Sequence, residues 1–279
     1  MSYLLYRTAS ALVRVVPRRL ADFVATQLAL LFYLFRGRIR ENVRRNFEAM
    51  SIENPDVLPV FKNFARSITD FLRYSGRPAE VIQAYCNLFG RERLDEVLAR
   101  GKGAILFTPH LGPWEVAGAC TASLGYRFNT VALDHPSRLV TSFFSSKRRS
   151  SGITDYSLGE CVGKLIEVLR RGEIVVLLVD RIFSEKGIEV KLFGRPVTLP
   201  DGHIILSRRT GAPLVPCWCY YNESGTIDAF IGEPLELPAE NGALEEIGSK
   251  CIAAVENQIR THSAQWFAFD HLWPEDNDG

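Results

Sequence analysis

Apolar side chains recur at Val57, Val60, Phe61, Phe64, Ile68, Phe71 and Leu72, a spacing near the helical period that predicts one amphipathic helix over 55–75. Upstream, 3–15 and 18–47 read as helices broken near Pro17, and a short helix over 91–100 ends at Gly101 and Gly103. From there the texture changes. "GAILFT" (103–108), "FNTVAL" (128–133), "IVVLLVD" (174–180), "IEVKLF" (188–193), "PLVPCWCYY" (213–221) and "TIDAFIG" (226–232) are short apolar or alternating runs, and they predict strands. Helical patterns lie between and after them, from about Trp114 and over 138–149, 159–171, 202–210 and 243–262. Strands alternating with helices predict an α/β fold with a mixed central sheet flanked by helices, behind an N-terminal amphipathic helical cap. The last six residues, "PEDNDG", are expected to fray.

Charge changes the picture at the N-terminus. The net charge is only +1, yet residues 1–50 carry nine arginines against three carboxylates, while the rest has 24 basic residues against 29 acidic ones. A basic, apolar start on an acidic body points to an anionic surface. "FVATQLALLFYLF" (23–35) is uncharged for thirteen residues, where crossing a bilayer takes about 20, so a helix lying in the interface or buried in a hairpin is expected. The opening segment, interrupted by Arg7 and Arg14, lacks the form of a secretory signal. The expected division is 1–75, membrane-docking helices, and 76–279, an α/β core, in one continuous fold. Six scattered cysteines without a C-x-x-C pair read as reduced core thiols, and no metal site is expected.

Functional groups in an open α/β sheet collect just past the carboxyl ends of strands. His110 falls there, after "AILFT", with Glu115 five residues on; Asp180 falls there too, after "IVVLLV", beside Arg181. A neutral imidazole can take the proton from a hydroxyl attacking a thioester, a carboxylate can hold its tautomer, and amides at a helix N-terminus can stabilise an oxyanion. Either acid could serve His110. Taken alone, a histidine five residues before an acid arises often by chance. His203 and His262 read as structural, and His271 is ambiguous because "FDHLW" could fold back over the site.

Four blocks in order carry a resemblance. "HLGPWEVAG", "LRRGEIVVLLVDR", "GIEVKLFGRPVTLPDGHIILSRRTGAPLVP" and "QWFAFDHLWP", with the opening "RRLADFVATQLALLFYLFRGRIRENVRRNFEAM", resemble the bacterial lipid A biosynthesis acyltransferases, the lauroyl and myristoyl transferases, over roughly 5–273. The related phosphatidylinositol mannoside acyltransferases share the pattern. Leu111 and Pro113 depart from the usual Phe and Asn, and "PDGH" departs from Pro-x-Gly-Pro. The resemblance implies a glycerolipid-acyltransferase-like fold and His110, Glu115 and Asp180 as catalytic residues. It implies Arg148 or Arg149 in a functional arginine block, with Arg138 and Asp134 near another polar block. Arg195 and Trp114 join the candidate substrate-binding residues.

The expected function is a peripheral O-acyltransferase at the cytoplasmic face of the bacterial inner membrane. It would move a fatty acyl group from acyl carrier protein or coenzyme A, as co-substrate and without a cofactor, to a hydroxyl of a lipid A precursor. Acylation of another glycolipid or phospholipid, or non-catalytic lipid binding, are the rivals. A serine hydrolase would want a Gly-x-Ser-x-Gly turn, which this chain lacks. Nucleic-acid binding is not expected, because the basic charge sits among apolar helices.

Overall fold

Pro17 separates helix α1 (Ser2–Val15) from α2 (Arg18–Phe35), as its fixed φ and missing N–H require. The computed structural model of the chain describes residues 2–181, 187–236 and 243–273, so the tail at 274–279 lies outside the described residues. The helix expected over 18–47 is two. Arg36 leaves helical geometry, and α3 (Gly37–Ala49) departs at 92° to α2. Gly37 is a poor helix residue at the bend. The turn carries Asn46 onto the C-terminal segment, where its amide donates to the carbonyls of Ala268 and Asp270 and its oxygen accepts from the Leu272 N–H.

Helix α4 (Leu58–Tyr74) is the periodic segment, and α2 packs along it. The face α2 buries is Ala21, Ala25 and Ala29; Phe23, Leu28, Leu31 and Phe35 point outward. Small residues inward and large apolar residues outward invert the usual surface helix. Among the described residues no single helix is long and apolar enough to cross a membrane.

The core follows as α5 (Ala79–Gln83), β1 (Cys86–Phe89), α6 (Arg91–Leu98), β2 (Ala104–Thr108), α7 (Trp114–Ser123), β3 (Phe128–Ala132), α8 (Arg138–Ser150) and β4 (Ile153–Ser157). Then come α9 (Cys161–Arg170), β5 (Ile174–Leu178), β6 (Ile188–Leu192), β7 (Arg195–Leu199), α10 (Gly202–Thr210), β8 (Leu214–Tyr221), β9 (Ile227–Ile231) and α11 (Leu244–Thr261). Seven strands form a sheet in the order β1-β9-β8-β2-β5-β3-β4, and β6 and β7 pair as a separate hairpin. β8, β2, β5, β3 and β4 run parallel; β9 is antiparallel to β8 and parallel to β1. The sheet is mixed and flanked by helices, as the alternation predicts. β1, β4 and β7 were not expected: each is short, and "CNLF", "ITDYS" and "RPVTL" mix polar with apolar positions.

Register decides where the chemistry goes. β2 and β5 are central and pair with Thr108 opposite Leu178, so the residues two places beyond, His110 and Asp180, leave the sheet side by side.

Candidate active site

The loop after β2 is held in a close approach. Gly112 has φ +62°, and a Cβ there would lie 2.3 Å from the Cys219 carbonyl oxygen, so only glycine fits. The C-terminal segment straps the loop from the other side: Gly112 N–H donates to the Gln265 carbonyl, and Phe267 N–H to that of His110.

Asp180, with no solvent exposure, collects three donors on two oxygens. Oδ1 lies 2.7 Å from His110 Nδ1; Oδ2 accepts from the His110 backbone N–H at 2.9 Å and from Trp266 Nε1–H at 2.7 Å. Burial pushes this carboxyl up, but its electrostatic interaction with the adjoining His110 ring and these hydrogen bonds outweigh burial and hold it below its ordinary value. Asp180 therefore stays charged and, as an acceptor, holds an imidazole proton on Nδ1, which leaves Nε2 as the nitrogen facing a substrate proton. The rings of Trp114 and His110 meet edge to face, centroids 5.2 Å apart.

Glu115 does not serve His110. It turns away along α7 to pair with Arg148 of α8, whose Nη2 and Nε donate to Oε1 at 2.6 and 3.0 Å and whose Nε also donates to Oε2 at 3.1 Å, and Arg148 also reaches Asp155 of β4 at 3.3 Å. Burial opposes the charge on Arg148, but the two carboxylates outweigh it and raise its pKa further. A guanidinium shared by two carboxylates is not an open anion site. Instead Arg148, Asp155, Asp134, Ser145 and Ser157 wall a polar side pocket of about 100 Å³.

His110, Trp114, Glu115 and Arg148 line a second cavity of about 560 Å³, whose walls are otherwise mostly aliphatic and aromatic: Leu106, Phe128, Leu165, Val176, Trp218 and Phe230 are among them. That volume is within the roughly 300–1,000 Å³ of small-molecule sites. Arg149, Arg138 and Arg195 are not brought to it. Arg149 and Arg138 are exposed on α8, and Arg195 stacks over Trp273 at 5.5 Å. The amides of His110, Leu111, Gly112, Trp114 and Val116 are already engaged, so the start of α7 offers fewer oxyanion donors than expected.

Sequence reasoning missed Trp266, although it stands in the quoted terminal block; His271 drew attention there instead. It also took His203 as structural, yet His203 lines the cavity. His262 stacks on Tyr220, away from the dyad.

A buried histidine–carboxylate pair at the carboxyl edge of a mixed α/β sheet, opening on an apolar cavity, defines a class of protein that can activate a hydroxyl beside a bound hydrocarbon chain. The family described as bacterial lipid A biosynthesis acyltransferase matches residues 1–275, and the chain belongs to it. It is 31% identical over 191 residues to a phosphatidylinositol mannoside acyltransferase of Mycobacterium tuberculosis, covering 67% of this chain and 60% of that relative. It is 25% identical over 281 residues to the Mycolicibacterium smegmatis protein of the same description, covering 97% of this chain and 91% of that one.

Proposed function

We propose that this protein transfers a long-chain acyl group from a thioester, on acyl carrier protein or coenzyme A, to a sugar hydroxyl of a membrane glycolipid. The observation that carries the reading is the His110–Asp180 dyad at the wall of the apolar cavity. Nε2 of His110 takes the hydroxyl proton as the oxygen attacks the thioester carbon; the C–S bond then breaks, and the thiolate leaves with the proton returned by the imidazolium. Asp180 stabilises that imidazolium. No covalent enzyme intermediate is required.

The family description names lipid A, and the mycobacterial relatives are described as acylating phosphatidylinositol mannosides. Both acceptors carry sugar hydroxyls. The side pocket favours that shared part: Asp134 and Asp155 line it beside Arg148, whose charge is already paired with Glu115 and Asp155, a setting that accepts hydrogen bonds from hydroxyls and disfavours phosphate. The outward apolar face of α2, with Arg36, Arg38 and Arg40 at its end, supports peripheral seating on an anionic bilayer at the cytoplasmic face, where thioester donors are found.

The test is thiol release from acyl-carrier-protein and acyl-coenzyme A donors, each with a lipid A precursor, a phosphatidylinositol mannoside, or no acceptor. Release that depends on one glycolipid names donor and acceptor together. Release that ignores both acceptors contradicts the reading and indicates thioester hydrolysis.

A further inference from the structure

The cavity wall holds a polar ring that the dyad does not use. His203 stands in the first turn of α10, directly after Pro200, Asp201 and Gly202, and all four residues line the cavity. It is only 4% exposed, and its Nε2 atom is buried without a hydrogen-bond partner. The ring lies tilted against Phe107, centroids 5.8 Å apart. Helix α9, against which α10 packs, contributes Cys161, Val162 and Leu165 to the same wall.

A histidine kept for packing normally finds a partner for each buried nitrogen, because a buried polar atom without one is costly. This residue lines a space that a substrate would fill, and its unpartnered Nε2 lies just beneath that wall. Burial pushes the imidazole down to about 4, so at neutral pH the ring is uncharged and has one donor and one acceptor nitrogen. An uncharged ring offers an anion no opposite charge. A hydroxyl can donate or accept, so it suits Nε2 in either tautomer.

We propose that His203 is a specificity-determining residue that reads a hydroxyl of the substrate in this cavity, carried by the acyl chain or by the glycolipid acceptor. This rests on the acyl-transfer reading only in taking the cavity as the place where chain and acceptor bind.

The experiment is equilibrium binding to the full chain by displacement of a fluorescent fatty acid. The ligands are hexadecanoate, 3-hydroxyhexadecanoate, 16-hydroxyhexadecanoate and octyl mannoside, and the proteins are wild type, His203→Leu and His203→Gln. We expect His203→Leu to weaken at least one hydroxylated ligand about five- to tenfold, the worth of one hydrogen bond, with hexadecanoate within twofold of wild type. His203→Gln, whose amide can occupy the Nε2 position, should recover most of the loss. Weakening of a hydroxyhexadecanoate assigns the hydroxyl to the acyl chain; weakening of octyl mannoside assigns it to the acceptor. The melting temperature of His203→Leu should equal or exceed that of wild type, since an unsatisfied buried nitrogen is removed.

Equal ratios for all four ligands, as expected if the ring only holds cavity water, would overturn the proposal. So would a melting temperature several degrees lower with uniform loss of binding, which is the signature of a packing residue. Failure of the acyl-transfer reading registers elsewhere, as absent acceptor-dependent thiol release, and leaves these binding ratios standing.

Discussion

Replacing Asp180 by Asn tests the dyad without changing its shape. Three donors converge on the two Asp180 oxygens, two of them on Oδ2. Asparagine has one oxygen and one amide nitrogen. Placing the nitrogen at Oδ2 would set it against both the His110 backbone N–H and Trp266 Nε1–H, so the oxygen must take that place. The NH₂ group then faces His110 Nδ1, which can only accept. The imidazole proton is forced onto Nε2, the nitrogen that should remove the hydroxyl proton, and the base is lost although every heavy atom stays in position. A triad base locked in the wrong tautomer loses on the order of 10⁴ in kcat, or about 5 kcal/mol at 1.36 kcal/mol per decade. Stability should move much less. The lost charge-assisted bonds are worth about 1.5–3 kcal/mol each, and the cheaper desolvation of a neutral side chain offsets much of that. Steady-state thiol release, with circular dichroism to confirm the fold, measures both quantities. A folded Asp180→Asn protein that keeps more than a tenth of wild-type kcat would refute the assignment of Asp180 as the group that sets the tautomer.

Other outcomes follow from the same contacts. Glu115→Gln should raise KM for the acceptor more than it lowers kcat, because Glu115 holds Arg148 rather than His110; kinetics at varied acceptor concentration separate the two. Gly112→Ala should cost several kcal/mol, roughly the upper range for a strained backbone site, and abolish activity, since a methyl 2.3 Å from the Cys219 oxygen must push the His110 loop off β8; denaturant titration reads the loss. Exchanging Phe23 and Leu28 for Glu should cut binding to anionic vesicles by roughly tenfold per residue, given about 1.5–3 kcal/mol for fully burying such a side chain and the partial exposure each gives up; sedimentation with vesicles reads it. His203 is pushed down to about 4 in the folded protein against 6.5 unfolded, so the unfolded chain binds the proton first and stability falls as pH drops from 6.5 towards 4. That contributes about 3 kcal/mol, and His203→Leu should flatten this part of the stability–pH curve. Asp180, depressed when folded, contributes stability that is present above its unfolded value of 3.8 and lost only as pH falls through its lower folded value.

What could be read from the chain was local. The period in 55–75 gave α4 within three residues at its start, and the apolar runs ending at Thr108 and near Leu178 placed His110 and Asp180 at strand ends. Which acid serves His110 was not legible. Glu115 is five residues away in sequence and Asp180 seventy, and only the adjacency of β2 and β5 in the sheet order brings the distant one into contact. The bend at Arg36–Gly37 escaped because one glycine is a weak break in a run otherwise suited to helix; the contacts of Asn46 with the C-terminal segment, more than two hundred residues on, hold α3 in its new direction. Trp266 escaped for a similar reason. An indole reads as core in a sequence, and its single N–H gains meaning only beside a buried carboxylate. The inverted face of α2 was half legible: the apolar run was plain, but that alanines would face α4 and leave Leu and Phe outside depends on how closely two helices approach.

The most direct measurement is the mass of the lipid product formed by wild type and by His110→Ala from one acyl thioester and a glycolipid acceptor. The dyad account predicts an acceptor heavier by one acyl group with wild type, and at least a thousandfold less of it with a folded His110→Ala protein. Equal product from both proteins would contradict His110 as the base, and no acylated lipid from folded wild type with either glycolipid would contradict acyl transfer itself.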